Sequence, residues 1–210
     1  MITFLHTAKV NIERFENLVR KYNAHIRVDH VVNEELLQYA LRSGTVDIRG
    51  FTQTAQEIKR HAENLIVCTC SSYGEVCDQL MDIERIDRPV VEYLVSKYDH
   101  IGLAFTVKST VPVSRQLIEE CAANIKRPVE VIPIDCTGSW SHLENGDQES
   151  YAKTIAQEIR NSHQDCDAIF LAQASMENAT QFLKDLDKEV LASPDFGVQY
   201  YLDQMEKSLK

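Results

Sequence analysis

Short apolar runs alternate with amphipathic stretches along the whole chain. The runs Ile2 to Leu5, His25 to Val31, Leu65 to Thr69, Ile101 to Phe105, Val129 to Ile134, Ala168 to Ala172 and Glu189 to Leu191 predict strands. The amphipathic stretches predict helices over Asn11 to Tyr22, Glu34 to Arg42, Thr52 to Ala62, Ser114 to Ile125, Gln148 to Asn161, Glu177 to Leu186 and Gly197 to Leu209. Ser114 and Ser175 are expected N-caps, because a serine hydroxyl can accept from the unpaired amides of a first turn. Strands alternating with helices build a mainly parallel sheet covered by helices, an α/β fold. The segment from Thr137 to Glu149 is polar and turn-rich and reads as a loop or flap.

The pattern also repeats. FLHT (Phe4 to Thr7) resembles LAFT (Leu103 to Thr106), and NLIVCTCSSYGE (Asn64 to Glu75) resembles DAIFLAQASMEN (Asp167 to Asn178). IDRPVVEYL (Ile86 to Leu94) resembles LASPDFGVQYYL (Leu191 to Leu202). The three matches occur in order and at nearly one interval, which predicts two pseudosymmetric lobes, residues 1–95 with 195–210 and residues 96–194. The repeat sets Thr7 against Thr106 and Cys70 against Gln173. Ligands of open α/β sheets bind at the carboxyl ends of strands, so the expected site is a cleft between the lobes, lined by residues at these strand ends.

Composition narrows the chemistry. With 32 acidic against 22 basic residues the formal net charge is −10, which argues against nucleic acid or an anionic membrane as partner. No apolar run approaches the length that spans a bilayer, and the amino terminus lacks the apolar core of a signal peptide, so a cytoplasmic protein is expected. The six cysteines (Cys68, Cys70, Cys77, Cys121, Cys136 and Cys166) are irregularly spaced and read as reduced thiols, without a zinc pattern. With only 7 glycines no loop has the composition of a phosphate cradle, so no nucleotide cofactor and no metal are expected.

Cys70 stands at a predicted strand end, just before the polar turn of Ser71 and Ser72. A free thiol titrates too high to be a nucleophile or base at neutral pH, and the amides at a helix start can lower it. Ser71, Ser72, Ala174 and Ser175 could supply hydroxyls and amides to a carboxylate or to the enediolate derived from it. The serines could equally cap the following helices, and the two duties are compatible.

With both strand ends in view, the sequence resembles the aspartate/glutamate/hydantoin racemase superfamily, which includes arylmalonate decarboxylase and maleate isomerase. IVCTCSSYG (Ile66 to Gly74) is similar to the family's first cysteine turn, and IGLAFTVKST (Ile101 to Thr110) to the strand opening its second lobe. IFLAQASM (Ile169 to Met176) stands where the family has its second cysteine turn, and VLASPDFGV (Val190 to Val198) fits the closing segment. The resemblance implies a cofactor-independent enzyme acting at the carbon alpha to a carbonyl of a small carboxylate or cyclic amide. It places Cys70 at the first thiol and Gln173 at the second. Glutamine transfers no proton near neutral pH, so a single-thiol reaction is implied: racemisation or isomerisation, with decarboxylation of a malonate-type acid or mere binding of a small acid as alternatives.

In the same frame His6 and Thr7 fall beside the first thiol, where His6 could take the Cys70 proton or pair with it as an ion. His6 could instead be a satisfied polar residue at a strand end. Thr106, Thr110 and Gln173 are expected to bind substrate, and a homodimer is what the resemblance implies.

Overall fold

The structure is a computed structural model describing residues 1–61, 65–80 and 82–208; Ala62 and Leu209, at the ends of two expected helices, and Asn64 of the repeated run lie outside the described residues. The chain begins β1 (Ile2–His6), α1 (Val10–Tyr22), β2 (Val28–Val32), α2 (Glu34–Ser43), α3 (Ile48–His61) and β3 (Leu65–Cys68). A 3-10 turn (Ser71–Tyr73), α4 (Gly74–Gln79), β4 (Ile83–Arg85), α5 (Arg88–Lys97), β5 (His100–Phe105) and α6 (Thr110–Asn124) follow. Then come β6 (Glu130–Asp135), a 3-10 turn (Thr137–Ser139), α7 (Trp140–Glu144), α8 (Gln148–Ser162), β7 (Ala168–Leu171), a 3-10 segment (Ala174–Phe182), β8 (Glu189–Ala192) and α9 (Ser193–Ser208).

All pairings in two four-stranded sheets are parallel, and the sheets share one topology: β2-β1-β3-β4 in the first and β6-β5-β7-β8 in the second. The repeat in the sequence is therefore a repeat of topology, with β1 matching β5 and β3 matching β7. The central strands β1 and β5 are apolar almost throughout and buried on both faces, as parallel strands covered by helices must be. Among the described residues no helix is long and apolar enough to cross a membrane.

The chain divides into two compact units, Met1–Ile86 with Pro194–Lys210 and Asp87–Ser193. The division precedes α5, and the boundary at residues 95 and 96 expected from the sequence falls inside that helix; α5 packs on α6 and buries Val90, Val91, Leu94 and Val95. In the first unit, Phe4, Val67 and Ile2 meet Phe15 and Val19 of α1 and Val198, Tyr201 and Leu202 of α9. On the other face, Leu5, Ile66 and Cys68 meet Leu36 of α2 and Phe51, Ala55 and Ile58 of α3. In the second unit α8 buries Tyr151, Ala152, Ile155, Ala156 and Ile159 along one stripe, with Asp147 capping its first turn by accepting from the Ser150 amide at 3.0 Å. Each fully buried Ile or Tyr on such a stripe contributes roughly 1.5 to 3 kcal/mol.

Several local expectations are revised. β4 was not anticipated, because Ile83-Glu84-Arg85 is too short and polar to carry a pattern; its strand form comes from pairing with β3. α5 is a further helix, over a segment to which the sequence pattern assigned no element, and Pro89 is harmless in its first turn. Residues 137 to 149 form a 3-10 turn, α7 and the start of α8 instead of a flap. α6 begins a turn earlier than expected, so Ser114 is buried inside it and does not cap it. Ser175 likewise lies within a 3-10 segment whose cap position is Gln173.

Candidate active site

The first unit places its thiol by a sharp change of backbone direction. β3 is held to its neighbours up to its last residues, with Thr69 N–H donating to Leu5 O at 3.0 Å and Ile86 N–H to Cys68 O at 3.0 Å. Cys70 is still extended, and the chain then coils at once into the turn Ser71–Tyr73, closed by Tyr73 N–H donating to Cys70 O at 3.1 Å. Tyr73 fastens this turn to the helices beside it: its hydroxyl donates to Leu36 O at 2.9 Å and accepts from Asp47 N–H at 3.1 Å, and its ring stacks on Phe51.

Cys70 is partly exposed, whereas the other five cysteines are buried. Burial of its sulfur, and then the neighbouring Cys68 thiol, push the Cys70 thiol up to about 11. Three donors oppose them: the Thr7 hydroxyl and the backbone amides of Ser72 and Tyr73. The resting group at neutral pH is thus a protonated thiol, with hydrogen-bond donors already aimed at the sulfur that would carry the thiolate charge. Thr7, buried just beyond β1, is the sequence-selected hydroxyl residue whose side chain lowers this thiol. Ser71 and Ser72 are half-buried within the turn, and its cap position is Cys70 itself.

His6 lies on the other face of β1. It packs with Phe4 and Phe15, its Nδ1 meets Thr69 Oγ1 at 2.8 Å, and its Nε2 meets His30 Nδ1 at 2.8 Å. Burial, with the His30 ring next, lowers it to about 3, so it is neutral. With both nitrogens engaged, His6 has none left for the expected proton transfer or ion pair with Cys70. His30 was not selected from the sequence; as a single histidine in an edge strand it carries no pattern that could have marked it.

In the second unit the matching strand ends carry no thiol. Gln173 is the second residue past β7, as Cys70 is past β3. Its Oε1 accepts from Thr106 N–H at 2.7 Å and its Nε2 donates to Thr106 Oγ1 at 2.9 Å, a two-point clasp on the end of β5. Thr106 Oγ1 is also 3.0 Å from the Tyr151 hydroxyl, which is 2.9 Å from Ser175 Oγ. Thus Thr106, Gln173 and Ser175 are brought into one network through Tyr151, a fully buried residue of α8. Nothing in the sequence separates Tyr151 from an ordinary core position. Thr110 is buried in the first turn of α6, and Ala174 is buried at the start of the 3-10 segment. Cys136, at the end of β6, is buried and pushed up to about 12, chiefly by desolvation.

No family model and no curated protein sequence matches the chain. Solved structures do. Glutamate racemase RacE1 from Bacillus anthracis superposes with a TM-score of 0.76 at 12% identity, covering 99% of this chain and 82% of that one. Aspartate racemase from Picrophilus torridus gives 0.74 at 14%, covering 98% and 94%. The chain shares its fold with these glutamate and aspartate racemases. Allantoin racemase from Klebsiella pneumoniae adds a TM-score of 0.65 at 12% identity, covering 99% of this chain and 88% of that one. On this racemase fold the two strand ends differ chemically: a thiol with donors on its sulfur after β3, and a carboxamide clasped to a threonine after β7. Among the described residues no group of three or more His, Cys, Asp or Glu side chains could hold a metal ion.

Proposed function

We propose that the chain is a cofactor-independent racemase- or isomerase-like enzyme acting at the alpha carbon of a small carboxylate (an amino acid, hydantoin or dicarboxylate), with Cys70 as its single reacting thiol. The observation that carries this reading is the partly exposed Cys70, placed two residues past β3 at the opening of the Ser71–Tyr73 turn, on a fold shared with racemases. As thiolate, Cys70 would remove the alpha proton, the carbon–hydrogen pair passing into an enediolate; the resulting S–H would return a proton to the same face for exchange, and to the opposite face for racemisation once the planar enediolate has turned over. The Ser71 and Ser72 hydroxyls, beside Thr7, are proposed to hold the substrate carboxylate. Thr106, Thr110, Gln173, Ala174 and Ser175, at the matching strand ends of the second unit, are proposed as further substrate-binding groups. Gln173 can hydrogen-bond but cannot exchange a proton near neutral pH, so the reaction does not use two thiols.

A second reading is decarboxylation of a malonate-type acid, with Cys70 as the proton donor. A thiol protonated at rest is ready to protonate the carbanion left when carbon dioxide departs.

The test is alpha-hydrogen exchange in D2O, followed by proton NMR across amino acids, hydantoins, hydroxy acids and malonates, with a Cys70→Ala control. Exchange or turnover that falls by about a hundredfold or more in the control supports a reacting thiol, the range general acid–base groups supply. Carbon dioxide release selects the second reading. Activity that survives Cys70→Ala overturns both, and silence across the panel with slow alkylation of Cys70 assigns a small-acid binding protein instead.

A further inference from the structure

A buried arginine underlies the Cys70 turn. Arg85 ends β4, and its backbone is rigidly set: its Cα is in register with Cys68, and its carbonyl accepts from the Tyr201 hydroxyl at 2.8 Å. Its side chain is 3% exposed, which for a guanidinium requires a partner, and Nη1 donates to Asp78 Oδ2 at 2.7 Å. The flat guanidinium lies over Gly74, the residue that follows the turn and opens α4. A Cβ at Gly74 would meet Arg85 Cζ at 2.2 Å and Nη2 at 2.3 Å, so the absence of a side chain there is what admits the arginine. Asp78 is on the same short helix as Gly74, and the guanidinium therefore grips α4 at two points, one turn apart. Tyr73, the residue before Gly74, is fastened on its own side to Leu36 and Asp47.

We propose that Arg85 is a positioning residue for the Cys70 turn, holding the Ser72 and Tyr73 amides on the thiol through its seat on Gly74 and its ion pair with Asp78. The proposal rests on Cys70 being the reacting group, but it concerns the state of the thiol and is read without turnover. Gly74→Ala removes the seat while keeping both charges, and Asp78→Asn weakens the grip while keeping the seat. The turn then loosens and the amides leave the sulfur, so the thiolate loses donors that a merely folded chain does not need to supply.

The experiment is the pH profile of Cys70 alkylation by iodoacetamide, resolved from the buried cysteines by mass spectrometry of the Cys70 peptide. The midpoint reports the thiol and the plateau reports access. In Gly74→Ala and Asp78→Asn the midpoint rises by about one unit, which is a roughly tenfold slower reaction at any pH below it. Ile83→Val trims the core at the start of β4 and leaves the arginine's side chain and its partners in place, and its midpoint stays at the wild-type value. An unchanged midpoint in Gly74→Ala, or an equal rise in Ile83→Val, overturns the proposal. Loss of turnover in Cys70→Ala alone bears on the reading of the site and leaves this outcome separate.

Discussion

Acidification tests the histidine pair behind the first strand. The Thr69 hydroxyl donates to Leu5 O at 3.3 Å, so its oxygen accepts from His6 Nδ1–H; His6 Nε2 is then a lone pair that accepts from His30 Nδ1–H. His30 Nε2 ends the chain as a buried acceptor without a hydrogen-bond partner. A proton added to His6 has nowhere to go without setting two N–H groups against each other or reversing the tautomer of His30. Burial first, and the neighbouring His30 ring next, hold His6 at about 3 in the folded protein against an ordinary 6.5, and the unfolded chain binds the proton more readily.

The sign follows from that difference: stability is full above about pH 6.5 and is lost as pH falls toward 3. The gap of about 3.5 units, at 1.36 kcal/mol each, sets an upper limit of roughly 5 kcal/mol, of which about 2 to 3 kcal/mol is gone by about pH 4.5. His30, lowered chiefly by burial, acts in the same direction. Carboxylates held low by hydrogen bonds, such as Asp135 and Asp167, have an ordinary value of 3.8 and act at the acid end of this window, below about pH 4.5. His100, raised by its hydrogen bond to Asp167, acts above it.

The assay is urea unfolding at about pH 7, 6, 5 and 4.5, followed by far-UV circular dichroism and by amide hydrogen exchange in β1, because Trp140 lies in the second unit. In His6→Gln the acid slope shrinks to the His30 share. A wild-type midpoint that does not move between pH 6.5 and 4.5, or an undiminished slope in His6→Gln, refutes the tautomer chain.

Two packing predictions complete the set. Tyr151→Phe deletes the hydroxyl between Thr106 and Ser175 and costs roughly 1 to 2 kcal/mol, measured by Trp140 fluorescence during urea unfolding; no loss would mean the network is not formed in solution. Gly197→Ala puts a Cβ 2.5 Å from the backbone oxygen of Ile86, which cannot swing aside, and costs about 1 to 3 kcal/mol by the same titration followed by circular dichroism; a neutral result would show that α9 shifts freely.

The chain's periodicity by itself determined the α/β class, seven of the eight strands among the described residues and the duplication, because burial of apolar faces leaves a local mark at strand and helix spacing. It also brought Cys70 and Thr7 to strand ends, a consequence of where apolar runs stop. What decided the rest was pairing between residues remote in sequence. The short polar β4 exists because β3 offers it a ladder, and Arg85 is buried because Asp78 and a bare Gly74 receive it. His6 reads as a base in the sequence and becomes a neutral spacer between Thr69 and His30 in the fold. Gln173 reads as a missing thiol and is a clasp on Thr106, linked through a Tyr151 that looks like any core aromatic. Hydrogen bonds of this kind depend on distance and direction, which have no period along the chain, so only tertiary structure assigns them.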